Sequence, residues 1–336
     1  MLVIPATHEG KPVKEIAARA FSDEWKLKEL VLPDSVTTIG ESAFSCCYSL
    51  ARITLGKGLT ALDEYCFNTC PVVEVYNRSA LPLTVGGEGY LQYNAKHIYG
   101  EGGESRITHE NGYMIYTDGA TKRLLGYLGT ETKLTLPDGL TEIGKYALAL
   151  ERFTEITLPD SVTLLGESAF CGCAYLTTVT LGAGITVLPG YTFGGCRSLT
   201  SVTLPAGLTK IERMAFGHCQ ALTEITLPDS VTEIGMDAFS SCQSLASVRL
   251  GSGLGRLGDR VFADCTRLAE ITIPASVKVI YEQAFSGCSS LTRVIFEKTE
   301  GWTVGGAPFD GATLADPETA AAALHDNSHR IWSNKT

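Results

Sequence analysis

The sequence predicts an α/β solenoid: right-handed coils of 23 residues, a parallel sheet on the concave side, and short helices or 3₁₀ turns on the convex side. Three registers predict it. Apolar strand ends fall at Ile4, Leu32 and Leu55, then at Leu136, Leu158, Leu181, Leu204, Leu227, Leu250, Ile273 and Phe296. An aromatic register runs Phe21, Phe44, Phe67, then Leu148 as a stand-in, then Phe170, Phe193, Phe216, Phe239, Phe262 and Phe285. An aliphatic register, Ile16, Ile39, Leu62, Ile143, Leu165, Leu188, Ile211, Ile234, Leu257 and Ile280, keeps the same step. Within each block the strand ends depart from it only in a first step of 28 residues and a step of 22 after Leu136, and 81 residues separate the two blocks.

One coil, Leu222 to Cys242 (LTEITLPDSVTEIGMDAFSSC), justifies each element in turn. Leu222, Ile225 and Leu227, with Thr226 between the last two, read as a short strand with one face inward. Pro228 cannot donate to a ladder and ends the pairing, while Asp229 and Ser230 stabilise the bend. Val231 and Ile234 return apolar groups to the core, and Gly235 is expected to permit a tight corner. Met236 to Cys242 has the length of about two helical turns and buries Ala238, Phe239 and Cys242. A single coil leaves its apolar edge bare, so stacking supplies the core.

Composition agrees. With 44% hydrophobic and 19% charged residues there is material for a core, and 35 glycines with many threonines favour turns and strands. A formal charge of -10 argues against nucleic acid or an anionic membrane, which need Lys/Arg patches. No apolar run reaches the roughly 18 residues of a membrane span. Met1 leads at once into a strand, so the expectation is a chain that starts inside a longer protein or has lost its export signal.

The eleven cysteines look at first like chemistry. Cys47, Cys70, Cys173, Cys196, Cys219, Cys242, Cys265 and Cys288 each follow a Phe by three residues, so they mark one position of the coil. That position is most simply a small buried filler. A ladder spreads its thiols along an axis, whereas zinc needs four converging ligands. Cys46, Cys66 and Cys171 lie outside the ladder, where a local disulfide stays open.

The pattern LxxIxLP, VTxIG, AFxxC stands here as Leu222, Ile225, Leu227, Pro228, Val231, Ile234, Gly235, Ala238, Phe239 and Cys242. It resembles the BspA-like (Treponema-type) leucine-rich repeat family and covers about three quarters of the chain. The resemblance implies a leucine-rich repeat solenoid, secretion or surface display by a bacterium, and adhesion. The Asn ladder of ordinary leucine-rich repeats is missing, as that class also shows. The coil at Leu136 has Ala147-Leu148 for Ala-Phe and lacks its Cys.

Four segments are expected: N-terminal repeats over 1–70, a Tyr/Gly-rich β insert over 71–131, the main array over 132–298 and a C-terminal cap over 299–336. The insert holds seven of the thirteen tyrosines, and Tyr113–Tyr116, Thr117–Ala120 and Lys122–Tyr127 read as strand, turn, strand. Its wording, YNRSALPLT and GYMIYTDGATKRLLGYLGTETKLTLP, also looks like interruptions found in BspA-like arrays. In the cap, Asp316-Pro317 opens an Ala-rich helix that ends near Asn327.

The central outward row of the concave sheet is Val31, Thr54, Thr135, Thr157, Thr180, Thr203, Thr226, Arg249, Thr272 and Ile295, and strand propensity alone accounts for its threonines. The neighbouring row, Glu29, Arg52, Glu155, Thr178, Ser201, Glu224, Ser247, Glu270 and Arg293, is mixed and mildly acidic. No HExxH, phosphate loop or other catalytic motif is present, and neither a cofactor nor a metal is expected. The candidate partner-binding residues are Tyr90, Tyr93, Tyr99, Tyr113, Tyr116, Arg249 and Arg293, because exposed aromatics and arginines concentrate binding energy. A self-packed tyrosine core is the bland reading of the insert. The expected function is a monomeric extracellular scaffold that binds a host or neighbouring-cell protein. The alternatives are a non-catalytic glycan- or wall-targeting module of a larger secreted enzyme and a structural spacer.

Overall fold

The computed structural model describes residues 1–63 and 65–334, and its backbone follows the 23-residue step. In the strand Glu224–Thr226 the middle residue Ile225 is buried and its neighbours are exposed, as alternation requires. A two-residue strand follows, Glu233–Ile234, with Ile234 inward. Successive coils pair in parallel and in register. Thr178 faces Ser201 and Thr180 faces Thr203 in the first sheet; Lys210 faces Glu233 and Ile211 faces Ile234 in the second.

The turn residues stitch coils together rather than only closing their own bend. Asp229 Oδ1 accepts from Ser252 N of the next coil at 2.9 Å, and Ser230 Oγ donates to Ala206 O of the previous one at 2.6 Å. Gly235 also differs from its expected role. A Cβ there would meet Arg213 N at 2.8 Å and Glu212 C at 2.9 Å, so the glycine allows coils to approach rather than the chain to corner. Gly40, Gly166 and Gly258 repeat the same close approach in their own coils.

The convex segment is a run of turns, not helix. In the coils of the main array two residues four positions apart have left-handed φ, as with Asp237 (54°) and Ser241 (60°), and Arg260 (53°) and Asp264 (59°). A right-handed helix cannot propagate through such residues. Alternate amides of the segment pair instead with the next coil: Asp237 N to Asp259 O, Phe239 N to Val261 O and Ser241 N to Ala263 O, at 2.7–2.9 Å. This is a third inter-coil ladder. It holds Ala238, Phe239 and Cys242 fully buried, with Phe239 stacked between Phe216 at 5.2 Å and Phe262 at 5.5 Å. All eleven cysteines are free thiols.

The chain divides into two compact units, one of residues 1–120 with 124–128, the other of 121–123 with 129–336. In the first unit a parallel sheet runs Leu2–Val3, Glu29–Val31, Arg52–Leu55, Glu74–Asn77, His97–Tyr99. The parallel sheet therefore continues past residue 70, where the sequence reading placed a break in the repeat. Glu74–Asn77 and His97–Tyr99 keep the pairing although the LxxIxLP wording is lost, because backbone pairing needs extended chain rather than particular side chains. Between them lies a one-turn helix α1 (Tyr90–Asn94), and after them a hairpin of Ile107–Glu110 with Tyr113–Asp118.

In the second unit the short-strand sheet ends at Val279–Ile280, which pairs antiparallel with Trp332–Asn334. Helices α2 (Gly311–Ala315) and α3 (Pro317–Asp326) pack on the last long strand, Arg293–Phe296. Asp316 caps α3 by accepting from Thr319 N at 2.9 Å, with Pro317 in the first turn. Phe296, Trp302, Phe309 and Trp332 form an aromatic cluster over the end of the stack.

Candidate functional site

The concave row Glu29, Arg52, Glu74, His97 of the first unit is covered by the hairpin and the turn before it. Glu74 is fully buried and accepts from Ser105 Oγ and from Arg106 N, each at 2.7 Å. Glu29, only 4% exposed, pairs with Arg52 and, at 3.4 Å, with His109 Nε2. His97 Nε2 lies 2.7 Å from the Tyr116 hydroxyl, which donates to Asp118 Oδ2 at 3.1 Å, and Asp118 pairs with Arg106. Ile107, Met114 and Tyr116 meanwhile pack with Ala51, Val73 and Leu125. The surface that a sequence reading leaves open is here occupied by the chain itself.

This corrects part of the expected site. Tyr113 and Tyr116 are each 4% exposed. Tyr113 packs on Tyr127 at 4.9 Å, and burial pushes its hydroxyl up to about 12. Three residues apart in one strand, the two rings point to opposite faces, and both faces are covered, since Tyr113 to Tyr116 are all buried. Tyr99 is half-buried against Tyr76 (5.3 Å) and His97 (5.6 Å), and burial raises its pKa. For these three the self-packed reading describes the structure.

Tyr90 and Tyr93 stand apart. They project from α1, 38% and 76% exposed, and Tyr65 (44%) joins them with its ring 5.9 Å from Tyr90. Tyr65, Gly87, Gly89, Tyr90 and Tyr93 line an open cavity of about 420 Å³. A more enclosed cavity of about 290 Å³ adjoins it, sharing Gly89 and Tyr90, with walls of Leu62, Leu81, Leu83 and Leu91 and the acids Asp63 and Glu88. The loop is held from within. Gln92 takes Thr84 N on its side-chain oxygen at 2.8 Å, donates to Glu88 O, and accepts Gly86 N on its carbonyl at 2.9 Å. Gly86 and Gly89 supply the left-handed φ of 75° and 82° that this fold-back needs.

Sequence reasoning missed Tyr65, Asp63 and the leucine walls. The one available signal is register: Tyr65 lies one step of 23 after Ser42, at an outward convex position. What brings it to Tyr90 is a loop whose path no periodicity records.

In the second unit the concave rows are open. Glu155, Thr178, Ser201, Glu224, Ser247 and Glu270 are all exposed. Arg293 is tied to Glu270 by a 2.8 Å ion pair, whereas Arg249 is exposed and forms no salt bridge among the described residues. Among the described residues no group of three or more His, Cys, Asp or Glu could hold a metal ion, and no helix is long and apolar enough to cross a membrane.

Stacked parallel coils with a leucine-rich register define a leucine-rich repeat solenoid. The family described as BspA type leucine rich repeat region matches in six copies, over residues 8–82, 128–227 and 209–314, and the chain belongs to it. Among solved structures, it is similar to a leucine rich cell surface protein from Faecalibacterium prausnitzii, at 24% identity over 74% of this chain and 86% of that one, with a TM-score of 0.45. A leucine-rich repeat protein from Bacteroides ovatus shares 24% identity over 88% and 92%, with a TM-score of 0.44. The pneumococcal vaccine antigen PcpA shares 21% over 87% and 67%, with a TM-score of 0.47. No curated protein matches the chain.

Proposed function

We propose that this chain is the protein-binding scaffold of a bacterial surface or secreted protein, adhesin-like and without catalysis. The observation that carries the reading is the Tyr65–Tyr90–Tyr93 cluster, exposed beside an apolar cavity on an internally tied loop. Large aromatics held rigid at a pocket mouth are what concentrates affinity in protein interfaces, because little side-chain entropy is lost on docking. The open, plain strip of the second unit adds area rather than an anchor.

The test is binding of the whole chain to panels of immobilised extracellular proteins and of glycans. Saturable binding to a protein that falls about tenfold or more in Tyr93→Ala is expected for a hot-spot residue. Binding confined to glycans would replace this reading with the wall-targeting one.

A further inference from the structure

We propose that the two-chambered cleft takes an extended peptide segment in which a large apolar residue is followed by Lys or Arg. The inference rests on the protein-binding reading and names the chemistry of the segment it would hold. Each chamber asks for a different side chain. The enclosed one, about 290 Å³, is walled by Leu62, Leu81, Leu83 and Leu91, so an apolar side chain gains by leaving water there. Its volume is at the small end for ligand sites, which run from about 300 Å³ upward, and suits one side chain better than a cofactor.

The rim and the open chamber ask for a cation. Asp63 and Glu88 line the cleft, and among the described residues neither forms an ion pair. Asp63 Oδ1 only accepts from Tyr65 N, at 2.9 Å. Three tyrosine rings face the adjoining space, and their negative faces attract a guanidinium or ammonium group. Carboxylates and aromatic faces share that preference, and among the described residues nothing cationic lines either chamber to satisfy it. An acidic side chain would meet repulsion from both sources. Because the chambers share Gly89 and Tyr90, they adjoin, and a segment crossing that common wall would set its apolar side chain in one and the neighbouring cation in the other. The protein's charge of -10 favours approach of a basic segment at low salt.

The experiment uses the full chain with 3-fluorotyrosine incorporated, followed by fluorine NMR, with the Tyr65, Tyr90 and Tyr93 signals assigned by Phe substitution. The probes are blocked hexapeptides with Leu-Arg, Leu-Glu or Ala-Arg between glycine pairs. The expected result is that Leu-Arg shifts these signals, Leu-Glu and Ala-Arg do so at least about tenfold more weakly, and Glu88→Gln weakens Leu-Arg binding. Raising salt to about 0.5 M should weaken it too. Equal shifts with Leu-Glu, or none up to about 5 mM Leu-Arg, overturn the proposal, as do shifts produced only by a chito-oligosaccharide. If the peptides fail while Tyr93→Ala still abolishes binding to a protein of the panel, the proposed occupant is wrong and the protein-binding reading stands. Failure of both removes both.

Discussion

The thiol of Cys242 lies 3.2 Å from the carbonyl oxygen of Phe216, 26 residues earlier in the chain. The contact recurs wherever the ladder does, from Cys47 on Phe21 to Cys288 on Phe262, at 3.0–3.2 Å. The repeated cysteine is therefore both a filler and a weak donor that ties each coil to the one before it. Phe216 O also accepts from Cys219 N at 3.1 Å, so losing the thiol leaves no orphaned carbonyl. Cys242→Ala should then destabilise by about 1–2 kcal/mol, one weak bond and a small cavity. Urea midpoints of the two proteins check this, and an unchanged midpoint would show the thiol contact to be idle.

The thiols also set an alkaline limit. Burial pushes Cys66, Cys242 and Cys288 up to about 12 from an ordinary value of 9.0. A group whose pKa is raised on folding gives its full stabilisation below the unfolded value and loses it as pH climbs toward the folded one. The window is thus pH 9 to about 12, with a loss of about 1.4 kcal/mol per thiol and pH unit. Thermal melts should fall steeply above pH 9, and less steeply in Cys242→Ala. Cys46 behaves oppositely: a hydrogen bond from Tyr48 lowers its pKa, and it is half-buried. At pH 8 it should be the fast-reacting thiol toward a disulfide reagent, removed by Cys46→Ser.

The coils were legible because the in-and-out alternation around Ile225 is not needed to find them: one period shared by Leu227, Phe239 and Ile234 suffices. The convex conformation was not, since Asp237, Arg260 and Gln283 adopt left-handed φ without being glycine, and no residue type announces it. Such strain, about 1–2 kcal/mol per residue, is held by the inter-coil ladder around it. The candidate site was half legible. Tyrosine density marked the insert, but whether a tyrosine faces solvent depended on where the hairpin folded. That is decided by Glu29, which reads as an ordinary surface letter of a concave row, and by Glu74, which lies where the repeat wording is already lost.

Gly235 gives a test that separates close approach from backbone freedom. Its Cβ would sit 2.8 Å from Arg213 N, which is backbone and cannot swing away. Gly235→Ala should cost about 1–3 kcal/mol as overpacking. Gly207→Ala is the control: its Cβ meets nothing closer than Ala183 O at 4.0 Å, so stability should hold or rise by some tenths of a kcal/mol. Equal melting temperatures for the two variants would refute the close-approach account.

Glu74→Gln addresses the hairpin. The carboxylate takes one hydrogen bond on each oxygen, and an amide keeps only one acceptor while turning an NH₂ toward the other donor. Losing a bond to a buried charge is worth about 1.5–3 kcal/mol, or roughly 10- to 100-fold in local opening. Amides of Tyr113–Asp118 should exchange faster by that factor, while those around Phe239, in the other unit, keep their protection. Exchange unchanged in the hairpin would show that apolar packing on Ala51 and Val73 alone holds it.

Phe239→Ala probes the stack itself. The ring is fully buried and nearly parallel to both neighbours, 6° from Phe216 and 14° from Phe262. Truncation removes a large apolar group and two ring contacts from a position that the third ladder prevents from collapsing, so the loss should reach about 3–5 kcal/mol. In a repeat array each coil contacts only its neighbours, so the damage should also be local. Exchange protection is expected to fall for the coils carrying Phe216, Phe239 and Phe262 and to persist in the first unit around Phe44. A uniform loss in both units would mean that the chain unfolds as one cooperative body, and a melt identical to the parent would mean that the coil register is wrong.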